Sequence, residues 1–129
     1  MNNEELIKKA KEITKLNKLS EYAVAGEVGS ALVTDKGNVY TGVSIHAASG
    51  IGFCAESAAI ASMLTNGESR IEKIVALDGD GVILPPCGRC REIIYQVNNQ
   101  NKEADIILKN KVMKLKDLLP EIWQEAYSQ

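Results

Sequence analysis

A chain of 129 residues, 45% hydrophobic and 25% charged, can form one compact domain with a real core and has little left over for a second. Its formal net charge of -2 supplies no bulk positive field, which counts against nucleic-acid binding through phosphate neutralisation and favours a small or neutral ligand. No apolar run approaches the roughly 20 residues that cross a bilayer, and the opening "MNNEELIKKAKEITKLNK" is charged and amphipathic without an apolar signal core, so a soluble, cytoplasmic protein is expected.

In chain order, Leu6, Ala10, Ile13 and Leu16 recur at helical spacing and predict a helix over 4–17. Two strands are expected over 28–34 ("VGSALVT") and 38–45 ("NVYTGVSI"). The "DKG" between them is a hairpin turn with a glycine available for positive φ. "CAESAAIASMLTNG" reads as a helix closed by Asn66 and Gly67, and "KIVALD" at 73–78 as a short strand. "DGDG" at 78–81 echoes a calcium loop but lacks the glutamate that such a loop needs downstream, so a plain turn is expected. Residues 88–97 are helical in pattern and 103–109 ("EADIILK") look like a buried strand. "KLKDLLPEIWQEAY" suggests a C-terminal helix interrupted at Pro120. Helices alternating with strands predict an α/β layer fold, one domain over 1–129, with helices on both faces of a sheet.

The three cysteines cannot all pair within one chain. Two of them form a C-x-x-C, which in a reducing compartment points to metal or redox chemistry rather than a disulfide framework. Zinc prefers thiolate and imidazole ligands in tetrahedral geometry, and a catalytic zinc keeps three protein ligands and one open position. Cys54, Cys87 and Cys90 supply three ligands, each at or near an expected helix start. A C-x-x-C there places both sulfurs on one side of the first turn. Three thiolates would burden a divalent ion with excess negative charge, which two helix N-termini and the neighbouring Arg89 and Arg91 would offset, lowering the thiol pKa values. Glu56, early in the first of these helices, would reach a metal-activated water without ligating the metal and act as general acid/base.

"CAE" at 54–56 followed by "PCGRC" at 86–90 resembles the zinc-dependent cytidine deaminase family, whose signature is a metal ligand, one residue, a glutamate and then P-C-x-x-C. The likeness extends over "VGSALVTDKGNVYTGVSI", "FCAESAAI", "PPCGRCREII" and "LKDLLP", most of the chain. It implies a three-layer α-β-α sandwich around a mixed, roughly five-stranded sheet. It also implies one zinc per chain on Cys54, Cys87 and Cys90, a proton shuttle at Glu56, and hydrolytic attack at C4 of a cytosine ring with loss of ammonia. A homotetramer with active sites near subunit borders is implied as well, and substrate contacts are implied at Ser44, His46, Glu27, Phe53 and Ala55. C-terminal aromatics also tend to join the pocket in this family, which makes Trp123 and Tyr127 candidates beside their ordinary packing roles.

Departures from the family bear on the substrate. Ser44 and His46 stand where an asparagine and a glutamate hold the ribose, Gly26 stands in place of an aromatic residue that packs on the base, and Ser57 replaces an arginine after "CAE". Weakened ribose recognition and extra room for a modified ring are therefore expected. The arginine between the cysteines is shared with the blasticidin S deaminases, a sister family and an alternative reading. From the residues alone, a non-catalytic module with a closed structural site, His46 serving as a fourth ligand to the three cysteines, also stays open.

Overall fold

The structure, a computed structural model, describes residues 1–127. Helix α1 (Asn3–Ile13) starts where the Asn2 side chain accepts a hydrogen bond from Glu5 N–H at 2.8 Å, with Glu4 and Glu5 favourably placed in the first turn. It stops four residues short of the expected end. The Thr14 hydroxyl donates back to the Ala10 carbonyl at 2.7 Å, and the chain then runs as a two-residue strand β1 (Asn17–Lys18). Pairing of β1 with Val24 and Ala25 takes over the backbone there, and Leu16, which continued the helical spacing, is 69% exposed.

Strand β2 (Ala23–Thr34) turns through Thr34–Asn38 into β3 (Val39–Ala47), with Gly37 at φ 84 in the turn as the sequence required. β4 (Ile71–Asp78) lies on the other side of β2, antiparallel to it. The chain then crosses over through α3 (Gly88–Val97) and returns as β5 (Asp105–Ile107), parallel to β4, before β6 (Val112–Lys114) closes the edge antiparallel to β5. The sheet therefore runs β3-β2-β4-β5-β6, with short β1 beside the first part of β2. This is the mixed, roughly five-stranded sheet expected.

Period-two alternation assigns its two faces. Ala31, Val33, Val75, Leu77 and Ile107 pack on Leu6 and Ala10 of α1. Leu32, Ile74 and Ile106 face the opposite layer, where they meet Ala59, Ile60 and Met63 of α2 (Ala55–Thr65) and Ile94 and Tyr95 of α3. Three layers result, with α1 alone on one side and α2 and α3 together on the other. α2 lies close against β3, for a Cβ on Gly42 would fall 2.3 Å from the Ala59 nitrogen, so a glycine there sets the distance between helix and strand.

Beyond α3 the structure departs from the sequence reading. β5 is only three residues long, because residues 99–103 form a 3-10 turn around the fully buried Asn101. That side chain accepts from Ile71 N–H at 2.8 Å and donates to the carbonyls of Ser69 and Ile94, both at 2.9 Å. The expected C-terminal helix shrinks to α4 (Leu115–Leu118) and a separate 3-10 turn, Trp123–Tyr127, because Pro120 offers no N–H to continue a helix. "DGDG" is a turn closed by Asp78, whose carboxylate accepts from the N–H groups of Asp80 and Val82.

Candidate active site

Two chain entries build the site. Phe53 pairs with Ile45 at the end of β3 through both backbone groups, Ile45 N–H to Phe53 O at 3.1 Å and Phe53 N–H to Ile45 O at 3.0 Å. That pairing fixes Cys54 as the residue immediately before α2, in extended conformation (φ -76, ψ 154). On the other side, Leu84 N–H donates to Ala76 O of β4 at 2.9 Å, and Pro85 and Pro86 lead the chain to Cys87, which precedes α3 with φ -68 and ψ 169. Neither cysteine uses its sulfur to cap its own helix.

The thiols instead turn toward one another. Cys54 Sγ lies 3.6 Å from Cys87 Sγ, and Cys90, fully buried in the first turn of α3, completes a trio whose sulfurs all lie within 4.8 Å of one another. A tetrahedral zinc with Zn–S bonds of about 2.3 Å spaces its sulfurs by about 3.8 Å. The donor set and its spacing therefore fit zinc, with three corners filled by protein. Both helices point their N-termini at the trio, so their unpaired N–H groups face the charge that three thiolates carry.

The thiols are not equivalent. Partial burial works against ionisation of Cys87, yet the N–H groups of Cys90 and Arg89 and the neighbouring thiols bring it below the ordinary cysteine value. Cys54 is pushed up, first by burial and then by Cys87. Cys90 is pushed far up by burial and by the nearby Glu56 carboxylate. A cation between the three sulfurs would favour their thiolate forms against burial and mutual repulsion.

Glu56 is the second residue of α2 and only 6% exposed. Burial raises its pKa, opposed by its own backbone N–H and by Cys90. It lines, with Cys54 and Cys87, a cavity of about 300 Å³, and Cys90 lies buried behind them. Val28, Ser44, Glu27 and His46 supply the sheet side of that cavity, and Phe53, Ala55, Leu84 and Pro85 supply much of the rest. Glu27 and His46 stand at the mouth, their side chains 50% and 78% exposed, with Glu27 Oε1 3.6 Å from His46 Nδ1. His46 is not part of the sulfur group, so among the described residues three side chains converge as ligands for a metal there.

Several candidates are used in ways the sequence did not announce. Ser44 lies opposite a bulge in β2, where the register slips between Ala25 and Gly29, and its hydroxyl oxygen accepts from Val28 N–H at 3.0 Å. Gly26 does not widen the cavity as expected. It sits in that bulge at φ 83, where a Cβ would fall 2.0 Å from the Lys15 carbonyl oxygen, so it is a close backbone contact on another side of β2. Arg91 sends its guanidinium to the carbonyls of Pro86 (2.8 Å) and Leu118 (3.0 Å), holding the loop that delivers Cys87. Arg89 is exposed and reaches Cys87 through its backbone N–H. Trp123 and Tyr127 pack edge to face at 6.0 Å, and Trp123 lines a separate hollow beside Pro120. Val28, Leu84 and Pro85 were not singled out from the sequence. Their one signal was the proline pair before Cys87.

Residues 1–102 match the family model described as the cytidine and deoxycytidylate deaminase zinc-binding region. The chain is 34% identical over 95 residues to the cytidine deaminase of Mycobacterium tuberculosis, a match that covers 73% of this chain and 70% of that protein. To the blasticidin-S deaminase of Bacillus cereus it is 37% identical over 76 residues, 52% of this chain and 54% of the relative. Among solved structures, the crystal structure of cytidine deaminase from Mycobacterium leprae superposes with a TM-score of 0.79 at 31% identity, covering 94% of this chain and 99% of that one.

Proposed function

The chain belongs to the cytidine and deoxycytidylate deaminase family of zinc-dependent hydrolytic enzymes, and on that premise we propose the residue roles and substrate class that follow. The substrate is a cytosine-type nucleoside, converted to its uracil form as water enters at C4 and ammonia leaves. Cys54, Cys87 and Cys90 hold the zinc, which when bound supplies a Lewis acid that makes water reactive near neutral pH. Glu56 takes the proton released as the water's oxygen bonds to C4, and returns it to the departing amine. Its burial suits this work, since a carboxyl with a raised pKa can hold a proton between the two transfers.

The remaining contacts follow from the cavity walls. Phe53, Val28 and Leu84 offer apolar surface to a flat ring, and the N–H of Ala55, one of the first in α2 and without an intrahelical partner, can donate to the ring carbonyl. Ser44, whose oxygen already accepts from Val28, retains its O–H for a substrate acceptor. Arg91 acts on the site through the Pro86 loop. We assign these roles to a single domain over 1–129, assembling as a homotetramer and working in the cytoplasm. No described helix is long and apolar enough to cross a membrane.

One observation carries this reading: a buried glutamate that lines a nucleoside-sized cavity beside two of three convergent thiols. A blasticidin S type of substrate is a second reading, favoured by the carboxylate of Glu27 at the mouth. Ammonia release by zinc-loaded protein from cytidine, deoxycytidine, cytosine and blasticidin S decides between them. Release from none of the four would leave a zinc-binding module without this activity.

A further inference from the structure

The side chains around the cavity are graded by exposure and by charge. Glu56 is 6% exposed at the inner end, whereas Glu27 and His46 stand half or more exposed at the mouth. A ring whose amine reaches Glu56 and the thiols must send its substituent outward, past Ser44, to this pair. Among the described residues the lining contains two carboxylates and no lysine or arginine. Lys18 belongs to a second hollow that shares only His46 with this one.

The bulge in β2 is what puts a carboxylate here. Three residues, 26–28, stand opposite Ser44 alone, and the strand is pinned at this point by the Val28 N–H bond to Ser44 and by the close contact of Gly26 with Lys15. Glu27 is thereby carried out of the regular alternation and across to β3, where His46, opposite Val24 in the ladder, lies 3.6 Å away.

We propose that Glu27 is the specificity-determining residue of the cavity mouth, accepting hydrogen bonds from donor groups on the sugar substituent, hydroxyl or ammonium, and disfavouring a phosphate there, with His46 as its positioning residue. The proposal rests on the function assigned above and names its substrate class: unphosphorylated nucleosides, those with a cationic substituent foremost. A carboxylate accepts from either donor and binds the charged one more strongly. A phosphate at the mouth would meet the like charge of Glu27, with no lysine or arginine of the described lining to offset it.

The test separates binding from turnover. Calorimetry on zinc-loaded protein uses non-reacting probes: uridine, its 3′-amino and 5′-amino derivatives, and uridine 5′-phosphate. Ammonia release from cytidine, measured on the same preparation, tests the function by itself. The expected order of affinity is an amino derivative first, then uridine, then the phosphate. Glu27→Gln should weaken the better amino ligand about tenfold, the low end for a charge-assisted bond at a half-exposed site, and tighten the phosphate. Glu27→Asp should keep part of the preference. His46→Gln should lower the amino preference in the parent and change nothing in a Glu27→Gln background. Equal affinities in parent and Glu27→Gln for all four probes, or tightest binding of the phosphate by the parent, would overturn the proposal even with cytidine turned over normally. A parent that binds none of the probes would overturn it as well. An equal effect of His46→Gln in both backgrounds would remove His46 from the positioning role.

Discussion

Glu56 and Asn101 are both buried polar side chains, and the contrast between them shows what a sequence discloses about single residues. The role of Glu56 follows from its identity and its place beside Cys54. Glu56→Gln keeps size and hydrogen bonding but cannot accept the proton, so zinc content measured by metal analysis should stay at the parent level while kcat falls by about 10²-fold or more. Asn101 gave no such signal, because its partners Ile71, Ser69 and Ile94 are brought to it only by the docking of β4 and α3. Removing it leaves a buried N–H and two carbonyls without partners. Asn101→Ala should therefore lower unfolding free energy in urea by about 3 kcal/mol, with the active-site chemistry untouched. The place of Gly26 outside the cavity and the bond of Ser44 to Val28 were hidden for the same reason: the bulge that sets both is a property of strand register, invisible in the residues themselves.

Among the elements, α2, α3 and the β2–β3 hairpin were legible because their signals are local: caps, a turn glycine, apolar spacing. The end of α1 and the C-terminal third were not, since β1 and β6 exist only by pairing with strands elsewhere in the chain. One tie between elements has a pH signature. Glu68, just after α2, accepts from the Tyr40 hydroxyl at 2.6 Å and from the Asn38 side chain at 2.9 Å, joining that loop to the hairpin. The Tyr40 bond first, with Thr34 and Asn38 adding, holds its carboxyl below the usual carboxylate range despite a cost of burial. A depressed carboxyl pKa means that the unfolded chain binds the proton more readily than the folded one. The stability it contributes is fully present above the ordinary value of about 4.3 and is lost as pH falls through the lower folded value. In Glu68→Gln the fall of Tm with acidification below about pH 5 should be shallower than in the parent. An unchanged slope in scanning calorimetry would assign acid sensitivity to other groups.

For the molecule as a whole, layer order was legible because alternation along β2 and β4 sorts side chains to two faces, and the helices on each side follow from it. The metal joins the two helices that share one layer, and its removal should register in the stability of that layer. Cys54 stands at the start of α2, and Cys87 and Cys90 stand at the start and in the first turn of α3, so stripping zinc with a chelator should lower Tm and let these two helices loosen first. Hydrogen exchange should show α2 and α3 losing protection before α1. The same arrangement orders events in time. The C-x-x-C is local and can catch an ion as soon as α3 begins to form, whereas Cys54 arrives only after the β4–α3–β5 crossover has docked its parallel pairing, the slower kind to form. Cobalt substituted for zinc would turn this into a clock, with an early two-sulfur colour giving way to a three-sulfur spectrum as the sheet closes.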